Sequence, residues 1–227
     1  MLLPKKYFIV IFDTFIPHFK ANVQGVITDE DTDKFRKVLL KNLIDVLPVN
    51  NATGKVLVLT TVSNGLTEEL SKEKRINKYV SFNSIVDSNP EIITEGNLIL
   101  FVSLCTLGLL AEDIENALNV LDRDEENGIY VLDSDSRVAL FASNTWDKSI
   151  YGINITDHLE YDNFLKSVLL LPFKIDRLIT KNPIQSACNA GKLYRLMSDR
   201  KNSLFSDPSN HKELNLLFIE HKEILSI

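Results

Sequence analysis

Two periods of apolar positions alternate along this chain. Residues 7–12 (YFIVIF) form an unbroken apolar run rich in β-formers, the pattern of a strand covered on both faces. Residues 55–61 (KVLVLTT) and 97–104 (NLILFVSL) repeat it. Between them the period lengthens. After the acidic, cap-like TDEDTD, residues Phe35, Val38, Leu39, Ile44 and Leu47 recur at helical spacing, and the helix stops before Pro48. Ile114, Leu118 and Leu121 mark one face of a second helix over 111–121, while NNATG at 50–54 is a turn. Weaker signals predict a helix over 65–74 and short strands over 79–82, 84–86, 128–132 and 137–141. Beyond Trp146 the pattern is helical over 161–171, 184–198 and 211–225, with a polar connector at 198–210. The order, three βα units followed by a hairpin, predicts an α/β fold whose mostly parallel sheet carries an antiparallel hairpin. No repeat or linker divides residues 1–227, so a single domain is expected, with the helix 211–225 packed on its body.

Composition changes the functional picture more than the fold. Hydrophobic residues at 44% and charged residues at 25% are ordinary for a globular protein. A net charge of −6, without a basic stripe, argues against nucleic acid as a partner. No apolar stretch approaches the roughly 18 residues of a membrane helix, so no membrane partner is expected. The N-terminal apolar run breaks at Asp13 with no small-residue cleavage site after it, so it reads as a strand and the expected location is cytoplasmic. Cys105 and Cys188 lie far apart and in no metal-ligand spacing, which predicts reduced, buried thiols. The histidines His18, His158, His211 and His221 share no such spacing either.

In open α/β sheets a ligand sits beyond the carboxyl ends of the strands. Here the strand 97–104 runs into Val102-Ser103-Leu104-Cys105-Thr106, with no carboxylate, no base and no glycine-rich loop. Ser103 and Cys105 lack the G-x-S-x-G setting of a nucleophile and read as strand-end packing. The Asp133-Ser134-Asp135 segment has two readings. Two carboxylates one residue apart can chelate Mg²⁺ or Mn²⁺ while the ion bridges a diphosphate. Alternatively, Asp and Ser turn the chain between two strands, because their side chains bond nearby backbone groups; this second reading is preferred. Lys20 is either a phosphate contact or a solvated loop lysine, and Asp13 is preferred as the cap of a strand end. Trp146 reads as an anchor at the core's edge.

The ordered segments FIVIFDTFIPHFKANV, TDEDTDKFRKVLLKNLIDVL, GKVLVLTT, NLILFVSLCTLGLLAEDIENALNVL and ENGIYVL together resemble the small bacterial nucleotide-diphospho-sugar transferases. The resemblance spans about residues 6–146 and fades in the last third. It implies a Rossmann-like three-layer sandwich of the glycosyltransferase-A type, a nucleotide or nucleotide-sugar ligand at the sheet's carboxyl edge and a divalent cation, Mg²⁺ or Mn²⁺. It also implies nucleotide contacts at Asp13, Lys20 and Ser103. Its loop with a Pro-Gly pair and a Lys-Thr-Arg-Leu run matches Pro17 and Lys20, but His18 and Asn22 replace the glycine and arginine. Its Gly-Ser/Thr-Asp-Cys/Ser-Pro motif matches Ser103 and Cys105, but Leu104 stands for the aspartate and Thr106 for the proline. Its Glu-Asp-Gly-Gly-Tyr-Tyr segment keeps Gly128 and Tyr130, with Asn127 in place of an acid. Two functions are therefore carried forward: glycosyl or nucleotidyl transfer, and a non-catalytic binding or structural role on a transferase fold whose site has lost charge.

Overall fold

The computed structural model describes residues 6–12, 27–47, 54–59, 76–79, 82–93, 96–122, 127–145, 161–187, 189–198, 205 and 207–221. The first strand, β1 (Tyr7–Phe12), lies between β2 (Gly54–Leu59) and β4 (Leu98–Ser103) and is parallel to both. β3 (Ile76–Tyr79) extends the sheet beyond β2. On the other side, β7 (Val138–Ser143) runs antiparallel to β4 and to β6 (Asn127–Leu132), and β8 (Lys174–Arg177) pairs parallel with β6. The order of this seven-stranded sheet is β3-β2-β1-β4-β7-β6-β8. Because β7 alone is reversed, β1, β2, β3, β4, β6 and β8 end at the same edge. A separate two-stranded sheet joins β5 (Thr106–Leu107) to β9 (Gln185–Ser186).

Strand alternation divides the core into two layers. Ile9 and Ile11 of β1, Val56 and Val58 of β2, and Leu100 and Val102 of β4 face one side. There they meet Phe35, Val38 and Leu39 of α1 (Asp29–Val46), Ile114 and Ala117 of α3 (Ala111–Leu121), Leu193 of α5 (Ala190–Ser198), and Leu214 and Phe218 of α6 (Pro208–Glu220). Phe8, Val10, Phe12, Leu57, Ile99, Phe101, Tyr130 and Phe141 face the other side. That layer is closed by Ile85 of α2 (Phe82–Ser88), Ile92 of a single 3₁₀ turn (Pro90–Ile93), and Leu165 and Val168 of α4 (Tyr161–Val168). The result is a three-layer α/β sandwich with a mostly parallel sheet and the antiparallel β6–β7 hairpin.

Local chemistry sets the element ends. Thr28 caps α1: its hydroxyl accepts the Asp31 N–H at 3.1 Å and the Asp31 carboxylate accepts the Thr28 N–H at 3.4 Å. Asp207 caps α6 by accepting the Ser209 N–H at 2.7 Å, with Pro208 in the first turn, where its missing donor costs nothing. α6 lies on α1 through the Phe35 and Phe218 rings, 5.0 Å apart, and a 2.8 Å hydrogen bond from Asn210 to Asp45. Among the described residues no helix is long and apolar enough to cross a membrane.

The structure corrects several sequence expectations. Residues 84–86, expected as a strand, lie within α2. The helix expected over 184–198 begins only at Ala190, because Gln185 and Ser186 pair with Leu107 and Thr106. The helix expected over 161–171 stops at Val168. Cys105, expected as a reduced thiol, is disulfide-bonded. The Ala187 N–H donates to its carbonyl at 2.7 Å, so the β5–β9 pairing brings together residues distant in sequence. Cys188, the chain's other cysteine, lies outside the described residues, as do Asp13, His18, Lys20, Trp146, His158 and the helix expected over 65–74.

Candidate functional site

The chain leaves β1 toward β2 and β3, then returns to place β4 on β1's other flank. The carboxyl ends of β1 and β4 therefore border the crevice where the strand order reverses, the usual ligand position in open α/β sheets. Phe12 and Ser103 are register partners there, and the Leu104 N–H continues the ladder to the Phe12 carbonyl at 2.8 Å. Ser103 is half-buried, and its hydroxyl accepts the Cys105 N–H at 3.3 Å. Leu104, where the resembling family has an aspartate, belongs to the apolar core and is buried. The strand end thus offers a hydroxyl and backbone groups but no carboxylate.

Two strand spacings away, about 10 Å along the same edge, β6 ends and Asp133-Ser134-Asp135 begins. One oxygen of Asp133 accepts the N–H groups of Asp135 at 2.8 Å and Arg137 at 2.9 Å. The backbone closes the turn from Asp133 N–H to the Arg137 carbonyl at 2.9 Å, and Ser136 adopts φ 59° to complete it. Burial pushes the Asp133 carboxyl above the ordinary aspartate value; the two backbone donors pull it back, and the neighbouring Asp135 charge adds to the rise.

This loop forms one wall of a cavity of about 330 Å³ lined by Val131–Ser134 and Arg177–Ile184. The opposite wall is the segment leaving β8, which the Leu178 N–H ties to the Tyr130 carbonyl at 2.8 Å. The start of α3 holds this segment in place. Buried Asp113 accepts the Leu110 N–H at 3.0 Å through one oxygen and the Lys181 N–H at 3.2 Å through the other. Glu112 pairs with the Lys181 ammonium at 2.9 Å and raises its pKa through that hydrogen bond. Arg177 ends β8 at the cavity, exposed, and forms no ion pair with another described residue.

The third contribution comes from α5. Asn189 caps this helix by accepting the Lys192 N–H at 2.9 Å, which fixes Lys192 in the first turn. The Lys192 ammonium donates to the Ser134 hydroxyl at 2.9 Å and pairs with the Asp135 carboxylate. The Ser186 N–H donates to the same hydroxyl at 3.3 Å, anchoring the β6–β7 turn to the β5–β9 sheet. Ser103, Asp133 and Asp135 therefore share one edge of the sheet. Arg177, Lys181, Lys192 and Asp113 join the loop there without being marked by the sequence pattern. The helix expected over 184–198 hides Lys192 in its middle; only the start at Ala190 places the lysine in the first turn, against the helix dipole.

A divalent ion at this loop would need oxygen ligands from both aspartates. One Asp133 oxygen is spent on two backbone donors, and Asp135 already faces an ammonium. Among the described residues, no group of three or more His, Cys, Asp or Glu side chains is placed to hold a metal. With Lys192 in place, the donor set among the described residues does not fit a divalent cation.

No protein-family model matches the sequence, and no curated protein matches it. Solved structures do. A protein assigned as a nucleotide-diphospho-sugar transferase from Desulfovibrio desulfuricans G20 superposes with a TM-score of 0.66 at 12% identity, covering 98% of this chain and 97% of that one. A cytidylyltransferase from Leptospira borgpetersenii serovar Hardjo-bovis gives 0.51 at 11% identity, over 99% and 97% of the two chains. The fold is the Rossmann-like α/β fold of these transferases.

Proposed function

We propose that this chain binds a nucleotide-diphospho-sugar, or a nucleotide, along the carboxyl edge of its sheet for glycosyl or nucleotidyl transfer. The observation that carries the reading is a cavity at that edge lined by Arg177 and Lys181 together with Asp133 and Ser134, with the Lys192–Asp135 pair next to it on the same loop. The Arg177 guanidinium, which forms no ion pair with another described residue, matches a diphosphate, which it can hold with two parallel hydrogen bonds. In this reading Ser103 and Asp13 contact the nucleotide at the β1–β4 crevice, and Lys20 neutralises a phosphate. The chemistry asked of the protein is electrostatic: fixed positive charge near a leaving diphosphate, already oriented before the reaction.

A second reading, a binding protein that has lost catalysis, is favoured by one observation, the buried Leu104 where the resembling family has an aspartate. A cytoplasmic location is part of the proposal, and the Cys105 disulfide weighs against it, since stable disulfides persist mainly in oxidising compartments. A thermal-shift screen tests ligand binding, using nucleoside diphosphates and their sugars with each common base. At 100-fold excess over Kd, a ligand adds about 2.7 kcal/mol, which raises the melting temperature by several degrees. A shift accompanied by turnover of a diphospho-sugar supports transfer, and a shift without turnover supports the binding protein. No shift with any nucleotide rejects the transfer reading and leaves a structural role on the transferase fold.

A further inference from the structure

We propose that Lys192 is the resident cation of the Asp133–Asp135 loop: its ammonium fills the position a divalent ion would take, and the diphosphate ligand binds without a metal. The inference rests on the nucleotide reading for its ligand, but the occupancy of the loop stands on contacts within this chain.

The contacts are directional and shielded. Lys192 donates to Ser134 and Asp135 at once, and the two charged side chains retain 25% and 34% exposure. This is a more enclosed setting than that of the exposed pair of Lys174 with Asp176, at 74% and 57%. Its place in the first turn of α5 puts positive charge at the helix end that disfavours it, so the position calls for an acidic partner, which Asp135 supplies. The turn is held independently, by the Asp133 carboxylate within it and by the Ser186 N–H on Ser134. Lys192 therefore enters a loop whose shape does not depend on it, as an ion would.

The charge balance follows the same logic. Lys192 leaves the two aspartates with one uncompensated negative charge; Arg137 and Arg177 turn that into one positive charge, and Lys181 with Glu112 and Asp113 across the cavity returns the balance to zero. Arg137 is close enough to Asp133 to act on its titration, and Arg177 lines the cavity. A doubly charged ion would have to displace Lys192 from its carboxylate partner. A diphosphate would meet the Arg177 guanidinium at the cavity without an ion.

The test is a titration of Mn²⁺ alone, followed by the electron paramagnetic resonance of the free ion, on the full chain and on Lys192→Met, Lys192→Arg and Asp135→Asn. The wild type and Lys192→Arg are expected to show no saturable binding. Lys192→Met, which keeps an unbranched side chain one atom shorter and removes its charge, is expected to gain one saturable site. Saturable binding to the wild type that is lost in Asp135→Asn overturns the proposal. A folded Lys192→Met chain that binds no Mn²⁺ also overturns it, because the lysine would then occupy no cation position. If Lys192→Met does not fold, Lys192→Gln takes its place with the same two outcomes. No nucleotide enters this titration, so its failure is separate from a failure of the nucleotide reading.

Discussion

Asp133 holds the β6–β7 turn with one carboxylate oxygen and carries a charge that its burial disfavours. Asparagine can form the same two bonds through its amide oxygen without the charge. An acid whose folded-state pKa is raised binds its proton more tightly when folded. Its contribution to stability is present below the unfolded value and lost as pH rises toward the folded one. Asp133→Asn should therefore melt at or above the wild-type temperature at pH 7, with the difference closing as the pH is taken below about 4. A lower melting temperature for the variant at pH 7 would show that the charge itself stabilises the turn. At this scale the sequence was informative about residue type and silent about partners. A D-x-D beside a strand was visible, as was the missing aspartate at Leu104. That Lys192 reaches Asp135 was not, because the contact joins residues brought together only by the β5–β9 pairing.

Elements with long, regular patterns were legible, and short ones were decided by partners elsewhere in the chain. The β1 and β4 runs and the α1 face follow directly from apolar periodicity. Residues 84–86 contain only Ile85 and Val86 as apolar positions, too few to define a period, and Ile85 is buried from a helix. β8 escaped notice because it is an edge strand with exposed Lys174, Asp176 and Arg177. Two substitutions test the elements that support the site. Thr28→Ala removes the α1 cap at a cost of about 1 kcal/mol, or roughly 2–4 °C for a chain of this size. Its hydroxyl is also the main cause of the lowered Asp31 pKa. A lowered acid contributes stability that is present above its unfolded value and lost as pH falls through the folded value. The difference between Thr28→Ala and the wild type should accordingly shrink below about pH 4; a constant difference down to pH 2 would rule out that linkage. In β6, a Cβ on Gly128 would meet Ile175 Cγ1 at 3.2 Å, the Ala142 carbonyl oxygen at 3.3 Å and Phe173 at 3.3 Å. Gly128→Ala should cost about 1–3 kcal/mol by overpacking, read as a lower urea midpoint at unchanged slope. An unchanged midpoint would mean that β6 and β8 are not this close.

Across the whole molecule, a single reversed strand, β7, turns the carboxyl ends of β4, β6 and β8 to one edge. That topology unites a serine at the crevice, an acidic turn and an arginine in one surface, although the three are far apart in sequence. The strand-helix order was enough to suggest the fold, because each βα unit leaves its own apolar signature. The site could not be foreseen in the same way, since its cations come from the last third of the chain, where the resemblance fades. The central claim is that this edge binds a diphosphate ligand through Arg177 and without a metal. Isothermal titration of the strongest nucleotide or nucleotide-sugar from the thermal screen, in excess EDTA, on the wild type and Arg177→Ala, tests it most directly. The account predicts saturable wild-type binding that EDTA does not change and that Arg177→Ala weakens at least tenfold, about 1.4 kcal/mol. Binding that EDTA abolishes, or that Arg177→Ala leaves intact, would contradict it.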